Sequence, residues 1–157
     1  MALVQLARLI LASAHVLAGS AWFGAMFYSL MVLHPRARAF FRGPREFEEF
    51  VAYIAAGARW KVLGGAAFIA ATGVGLLVLR GPEQVSGGRN ACLAGKVVLF
   101  VIAVGVFCFT SWRLWPARVM ASEAEIPMFQ RAFRLVAMTL LILVGASMVL
   151  GVIGKTL

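Results

Sequence analysis

The stretch Ala91-Cys-Leu-Ala-Gly-Lys-Val-Val-Leu-Phe-Val-Ile-Ala-Val-Gly-Val-Phe-Cys-Phe-Thr110 carries one ionisable side chain, Lys96, in an otherwise apolar run. At 1.5 Å of helical rise per residue, a run of this length crosses the ~30 Å hydrocarbon core of a bilayer. Three further runs reach span length, so the expected spans are 9–33, 62–79, 91–110 and 133–153. With 62% hydrophobic residues in 157, a soluble domain would have to expose most of its apolar side chains to water. The sequence predicts an all-α integral membrane protein, a single bundle of four transmembrane helices over residues 1–157, with the lipid bilayer as its main partner.

Charge supplies the orientation. The segment 34–61 holds Arg36, Arg38, Arg42, Arg45, Arg59 and Lys61, and 113–134 holds Arg113, Arg118, Arg131 and Arg134. The opposite side receives Arg8, Arg80, Arg89 and Lys155. Basic residues mark cytoplasmic loops, so both termini are expected outside and both long loops inside. The net charge of +9 follows from this topology and from contact with anionic lipid, and no recognition motif accompanies it that would indicate nucleic acid. The first apolar run continues to Leu33, well past a signal-peptide core, and reads as a retained helix.

The loops have local signals. Gly43-Pro44 followed by Glu46, Glu48 and Glu49 reads as a helix start, with proline in the first turn and acids at the positive end of the dipole. Phe47, Phe50, Val51 and Ile54 share one face, which predicts an amphipathic interfacial helix over about 44–58. Ser122 to Glu125 matches a capping box, with the serine hydroxyl accepting backbone N–H bonds and the glutamate reaching back. Gly87-Gly88 is expected to make the outer turn. No repeat of about 20 to 50 residues is visible. Cys92 and Cys108 lie roughly 24 Å apart along one helix, too far to pair, and the methionines form no close M-x-x-M cluster.

Ionisable groups inside a bilayer are costly and tend to be kept for function, so His15 and Lys96 are the candidate site residues. Ala18, Gly19, Trp22 and Met26 follow His15 at offsets of 3, 4, 7 and 11, and the small residues leave room for a flat macrocycle against the backbone. An interhelical hydrogen bond is the structural alternative for His15, and snorkelling to the interface is the alternative for Lys96. Under the expected topology the two lie at similar depth. His34 is about 28 Å along the helix from His15 and is expected at the surface.

His15, Trp22-Phe23 and Phe27-Tyr28 together resemble the first-helix pattern of the HemJ-type protoporphyrinogen IX oxidases. Gly95-Lys96 with Leu99, closed by Trp112-Arg113, is similar both to that family and to CopD-type copper-resistance membrane domains. The resemblance implies a shared membrane bundle, a bacterial cytoplasmic-membrane location, and heme b held by His15 and Lys96; the face below His15 then puts Gly19 and Trp22 beside the cofactor. The resemblance further implies an oxidoreductase that takes electrons from a porphyrin-type substrate and passes them toward a quinone. Two other readings stand beside it: a CopD-like copper-handling protein, and a non-catalytic subunit of a homo-oligomer or a larger energy-converting membrane complex.

Overall fold

The computed structural model describes residues 2–80 and 87–156, which are helical almost throughout. Helix α1 (Ala2–Tyr28) passes through a π-helical turn at Ser29–Leu33 into α2 (His34–Phe40). Then come α3 (Pro44–Ala55), α4 (Ala58–Val78) and α5 (Gly87–Phe109). A second π-helical turn at Thr110–Leu114 joins α5 to α6 (Trp115–Val119), and α7 (Ile126–Thr156) closes the chain. Four rods, Ala2–Phe40, Ala58–Val78, Gly87–Val119 and Ile126–Thr156, are long and apolar enough to cross a membrane. This is the four-span, all-α architecture expected from the sequence.

The rods exceed the apolar runs because helix continues past the first charged residues. Gly87-Gly88 accordingly forms the first turn of α5, not the outer turn; Arg89 anchors that turn by donating from Nε to the Gly154 carbonyl at 3.1 Å. Residues 81–86 of the expected turn lie outside the described residues. The interfacial helix ends at Ala55 because Gly57 takes φ +71°, a left-handed conformation that breaks the chain before α4. Its buried face is Phe47 and Val51, packed with Ala37 of α2, whereas Ile54 stays exposed. At the capping box Glu125 does reach back to the Ser122 N–H at 2.9 Å. The Ser122 hydroxyl, however, donates to the same carboxylate at 2.6 Å, and the Glu125 N–H that it was expected to receive bonds to the Ser122 backbone carbonyl at 3.0 Å.

Packing is pairwise. Arg8 Nε donates to the Leu79 carbonyl at 2.6 Å and His15 meets Ile69 and Thr72, so α1 and α4 run antiparallel. Cys92 meets Gly154 and Gly95 meets Leu150, so α5 and α7 do the same. Between the pairs, Phe23 of α1 sits against Gly145 of α7, and Trp22 meets Phe100 of α5 edge-on at 6.2 Å. These rings close over a core of Ala103, Leu140 and Val144. No residue of α1 is buried, and large apolar side chains such as Leu17 and Val101 face outward, the distribution that lipid contact requires.

Corresponding features recur at a constant offset of 81 residues. Arg8 corresponds to Arg89, His15 to Lys96, Gly24 to Gly105, Pro35 to Pro116, Gly64 to Gly145 and Gly73 to Gly154. The π-helical turns at Ser29–Leu33 and Thr110–Leu114 obey the same offset, and each ends two positions before its proline. Arg8 and Arg89 each bond a backbone carbonyl near the far end of the partner helix, Leu79 just past α4 and Gly154 in α7, although these acceptors are 75 and not 81 residues apart. The chain is therefore two similar helical hairpins in tandem, with a period too long for a search at 20 to 50 residues. The halves differ at Gly57, whose counterpart is Met138: α3 and α4 are separate helices, whereas α7 is continuous.

Candidate functional site

His15 is half-buried and aims at α4. Its Nδ1 lies 3.1 Å from the Ile69 carbonyl and 2.9 Å from Thr72 Oγ1. A carbonyl accepts and cannot donate, and the single Thr72 hydroxyl hydrogen is directed at backbone carbonyls, so the tautomer that satisfies both contacts has the proton on Nδ1 and the lone pair on Nε2. Thr72, itself buried, is turned by donating to the Phe68 and Ile69 carbonyls at 2.9 and 3.0 Å. Gly73 clears space for the ring: a Cβ there would stand 3.3 Å from His15 Cε1. A histidine that ligates a metal characteristically donates its other ring N–H to a carbonyl or carboxylate, and this imidazole is held that way. The interhelical hydrogen bond and the ligand reading are thus compatible, since they use different nitrogens.

Lys96 is half-buried and faces α7. Its Nζ rests against Gly151, where a Cβ would lie 3.0 Å away, and it has neither hydrogen bond nor ion pair among the described residues. The Trp22–Phe100 contact sets the relative heights of α1 and α5. Counting back along each helix at 1.5 Å per residue puts His15 about 10 Å and Lys96 about 6 Å from that level, toward the same end. The matching depth follows from the 81-residue correspondence. Among the described residues no hydrogen bond joins the two side chains; each points to the second helix of its own hairpin.

The other expected site residues separate. Gly19 faces open space, with nothing within 4 Å of an added Cβ. Trp22 belongs to the central core with Phe100 and stands apart from the imidazole. His34, expected at the surface, is half-buried: its Nδ1 lies 2.7 Å from the Ser29 carbonyl, and the ring meets Phe47 edge-on at 6.1 Å. The π-helical turn is the cause, since it brings residues five apart into line. Among the described residues no group of three or more His, Cys, Asp or Glu side chains gathers, and Cys92 and Cys108 are free.

Two arginines read from the sequence as ordinary basic flanks have specific work. Arg118 is buried and grips Glu48 of α3 from Nε at 2.6 Å and Nη2 at 3.0 Å, with Gln130 Nε2 donating to the same carboxylate at 2.8 Å. Its guanidinium also lies over the Phe133 ring, 4.6 Å from the centroid. Arg59 donates to the Ser111 carbonyl at 2.6 Å and lies over Trp112 at 4.7 Å. That carbonyl is left over by the π-helical turn: the Trp115 N–H bonds to Thr110, and Pro116 has no N–H to offer. The signal in sequence was the proline, which frees a carbonyl one turn upstream.

No family model, curated protein or solved structure matches this chain.

Proposed function

We propose that this chain is a membrane redox protein that binds b-type heme through His15 Nε2, with Lys96 as the facing ligand or close charge. The observation that supports it is the orientation of His15: Nδ1–H is committed to the Ile69 carbonyl, leaving Nε2 as the lone-pair nitrogen. Lys96 contributes a second nitrogen, unpaired among the described residues and at similar depth. Heme, when bound, supplies one-electron exchange tuned by its axial ligands and by burial. Thr72 and Ile69 hold the imidazole in one tautomer, and Gly73 and Gly151 leave both side chains room to extend. The HemJ-like pattern from His15 to Tyr28 extends the reading to an oxidase that draws electrons from a porphyrin-type substrate and delivers them to a quinone. The basic end of the bundle, which carries α2, α3 and α6, faces the cytoplasm of a bacterial inner membrane in this reading, with both termini outside.

The test is an absorption spectrum of detergent-solubilised protein made with ample heme, oxidised and dithionite-reduced. A Soret band is expected, lost in His15→Ala and shifted in Lys96→Ala, with His34→Ala unchanged. Wild-type protein without a Soret band overturns the proposal. A second reading, a subunit of a homo-oligomer or larger membrane complex, is favoured by α1, which buries no residue within the chain. The copper-handling reading has less support, since the thiols lie far apart on one helix and no donor cluster forms among the described residues.

A further inference from the structure

The tandem correspondence predicts two equivalent seams between the hairpins, and the structure closes one of them. Between α1 and α7, Phe23 fills the notch at Gly145. The counterpart seam lies between α5 and α4, where Val104 corresponds to Phe23 and Gly64 to Gly145. Gly64 is exposed, with nothing within 4 Å of a Cβ, where its counterpart Gly145 receives Phe23. At the basic end of the bundle lies a cavity of about 390 Å³, bounded by the α3–α4 elbow, the second π-helical turn and α7. Phe107, Trp115 and Phe133 make the apolar wall, and Arg59 and Trp60 stand on the α4 side.

Arg59 decides what such a cavity takes. It is half-buried, fixed by the Ser111 carbonyl and the Trp112 face, and no carboxylate among the described residues lies within 4 Å of it. Trp60 and Trp112 meet edge-on at 6.2 Å beside it, the ring type that anchors at the headgroup level of a bilayer. A fixed cation with no carboxylate in reach among the described residues, a tryptophan pair beside it and an apolar wall match one amphiphile. We propose that the α4–α5 seam is a binding site for an anionic phospholipid, with the phosphate on Arg59 and an acyl chain along the seam past Gly64. The site is separate from His15 and Lys96, which lie toward the other end of the bundle, and it stands whether or not heme is bound.

The test uses full-length protein in neutral detergent, titrated with phosphatidylglycerol or phosphatidylcholine brominated on the acyl chain, with tryptophan quenching as readout. One favourable cation–headgroup contact corresponds to roughly fivefold preference, so phosphatidylglycerol should quench at about one-fifth the mole fraction that phosphatidylcholine requires. Arg59→Gln should bring the two lipids together, whereas Arg45→Gln, at an exposed site, should preserve the difference. Equal quenching of the wild type by both lipids overturns the proposal, as does an Arg59→Gln protein that keeps the preference. The wild-type comparison stands alone if Arg59→Gln fails to fold.

Discussion

Arg118→Met should be among the most damaging single changes at the basic end. The side chain of Arg118 is 6% exposed and that of Glu48 17%, and the pair is bidentate at 2.6 and 3.0 Å. Removing one partner of a buried pair leaves the other charge desolvated, which costs about 3–5 kcal/mol. The residual exposure of Glu48 and its remaining bond from Gln130 point to the lower bound, about 3 kcal/mol. That is more than a hundredfold in the folding equilibrium and a fall of about 6–12 °C in Tm for a chain of this size. Thermal unfolding in detergent micelles, followed by intrinsic fluorescence, measures it. Glu48→Gln combined with Arg118→Met should cost clearly less than the sum of the single changes, because the orphaned charge disappears. Arg45 supplies the contrast: its pairs with Glu49 and Glu123 are 3.9 Å long and largely exposed, so Arg45→Gln should be nearly neutral. A loss below about 1 kcal/mol for Arg118→Met, the value of an exposed pair, would refute the argument.

Three further outcomes follow from local geometry. Gly57→Ala should destabilise by about 1–2 kcal/mol in the same assay; with nothing within 4 Å of the new Cβ, the cost is that of an L-residue at φ +71°. Gly73→Ala should displace the imidazole, since the Cβ would sit 3.3 Å from Cε1 of a ring already held by Ile69 and Thr72; the His15 ring resonances in NMR should shift strongly, while Gly64→Ala leaves them in place. The hydroxyl and N–H of Ser122 hold the Glu125 carboxyl below its ordinary range. This contribution is therefore present at neutral pH and is lost as pH falls through that depressed value. Ser122→Ala should flatten the acid side of the Tm–pH profile, and an unchanged profile would contradict the assignment.

The span count was legible because hydrocarbon thickness dictates a length that few other structures need. The amphipathic segment after Pro44 was legible from its period, which put Phe47 and Val51 on one face, although Ile54 on that face stays exposed. The helix ends were not, because arginine outside the apolar window is a good helix former and glycine is tolerated at a helix end once a neighbouring helix supplies a partner, as Gly154 does for Arg89. His15 and Lys96 stood out by the cost of burying charge. What each side chain faces was hidden, because it depends on which hairpins pair. Arg59 and Arg118 were hidden for a related reason: positive-inside composition explains any basic residue at that end, so the two with fixed partners look like the rest.

The 81-residue correspondence gives the candidate site its logic. Two helices of like construction, each with an arginine anchor, a polar residue two turns below it and a proline-linked π-helical turn at the basic end, carry His15 and Lys96 to within about one helical turn of the same depth. Their surroundings then diverge in chemistry. Ile69 and Thr72 on α4 offer His15 a carbonyl and a hydroxyl, whereas the corresponding Leu150 and Ile153 on α7 offer no side-chain polar atom. An imidazole is thus held in one tautomer on one side, and an amine without a polar partner among the described residues is left on the other. A frame that repeats while its two polar residues and their supports differ is what asymmetric chemistry requires: two nitrogens of different basicity at similar depth, each placed by its own hairpin. The same divergence acts at the basic end, where Gly57 breaks α3 from α4 and one of two equivalent seams stays open. Both departures from the repeat fall where a ligand is proposed, and the conforming seam between α1 and α7 is filled by Phe23 and core side chains.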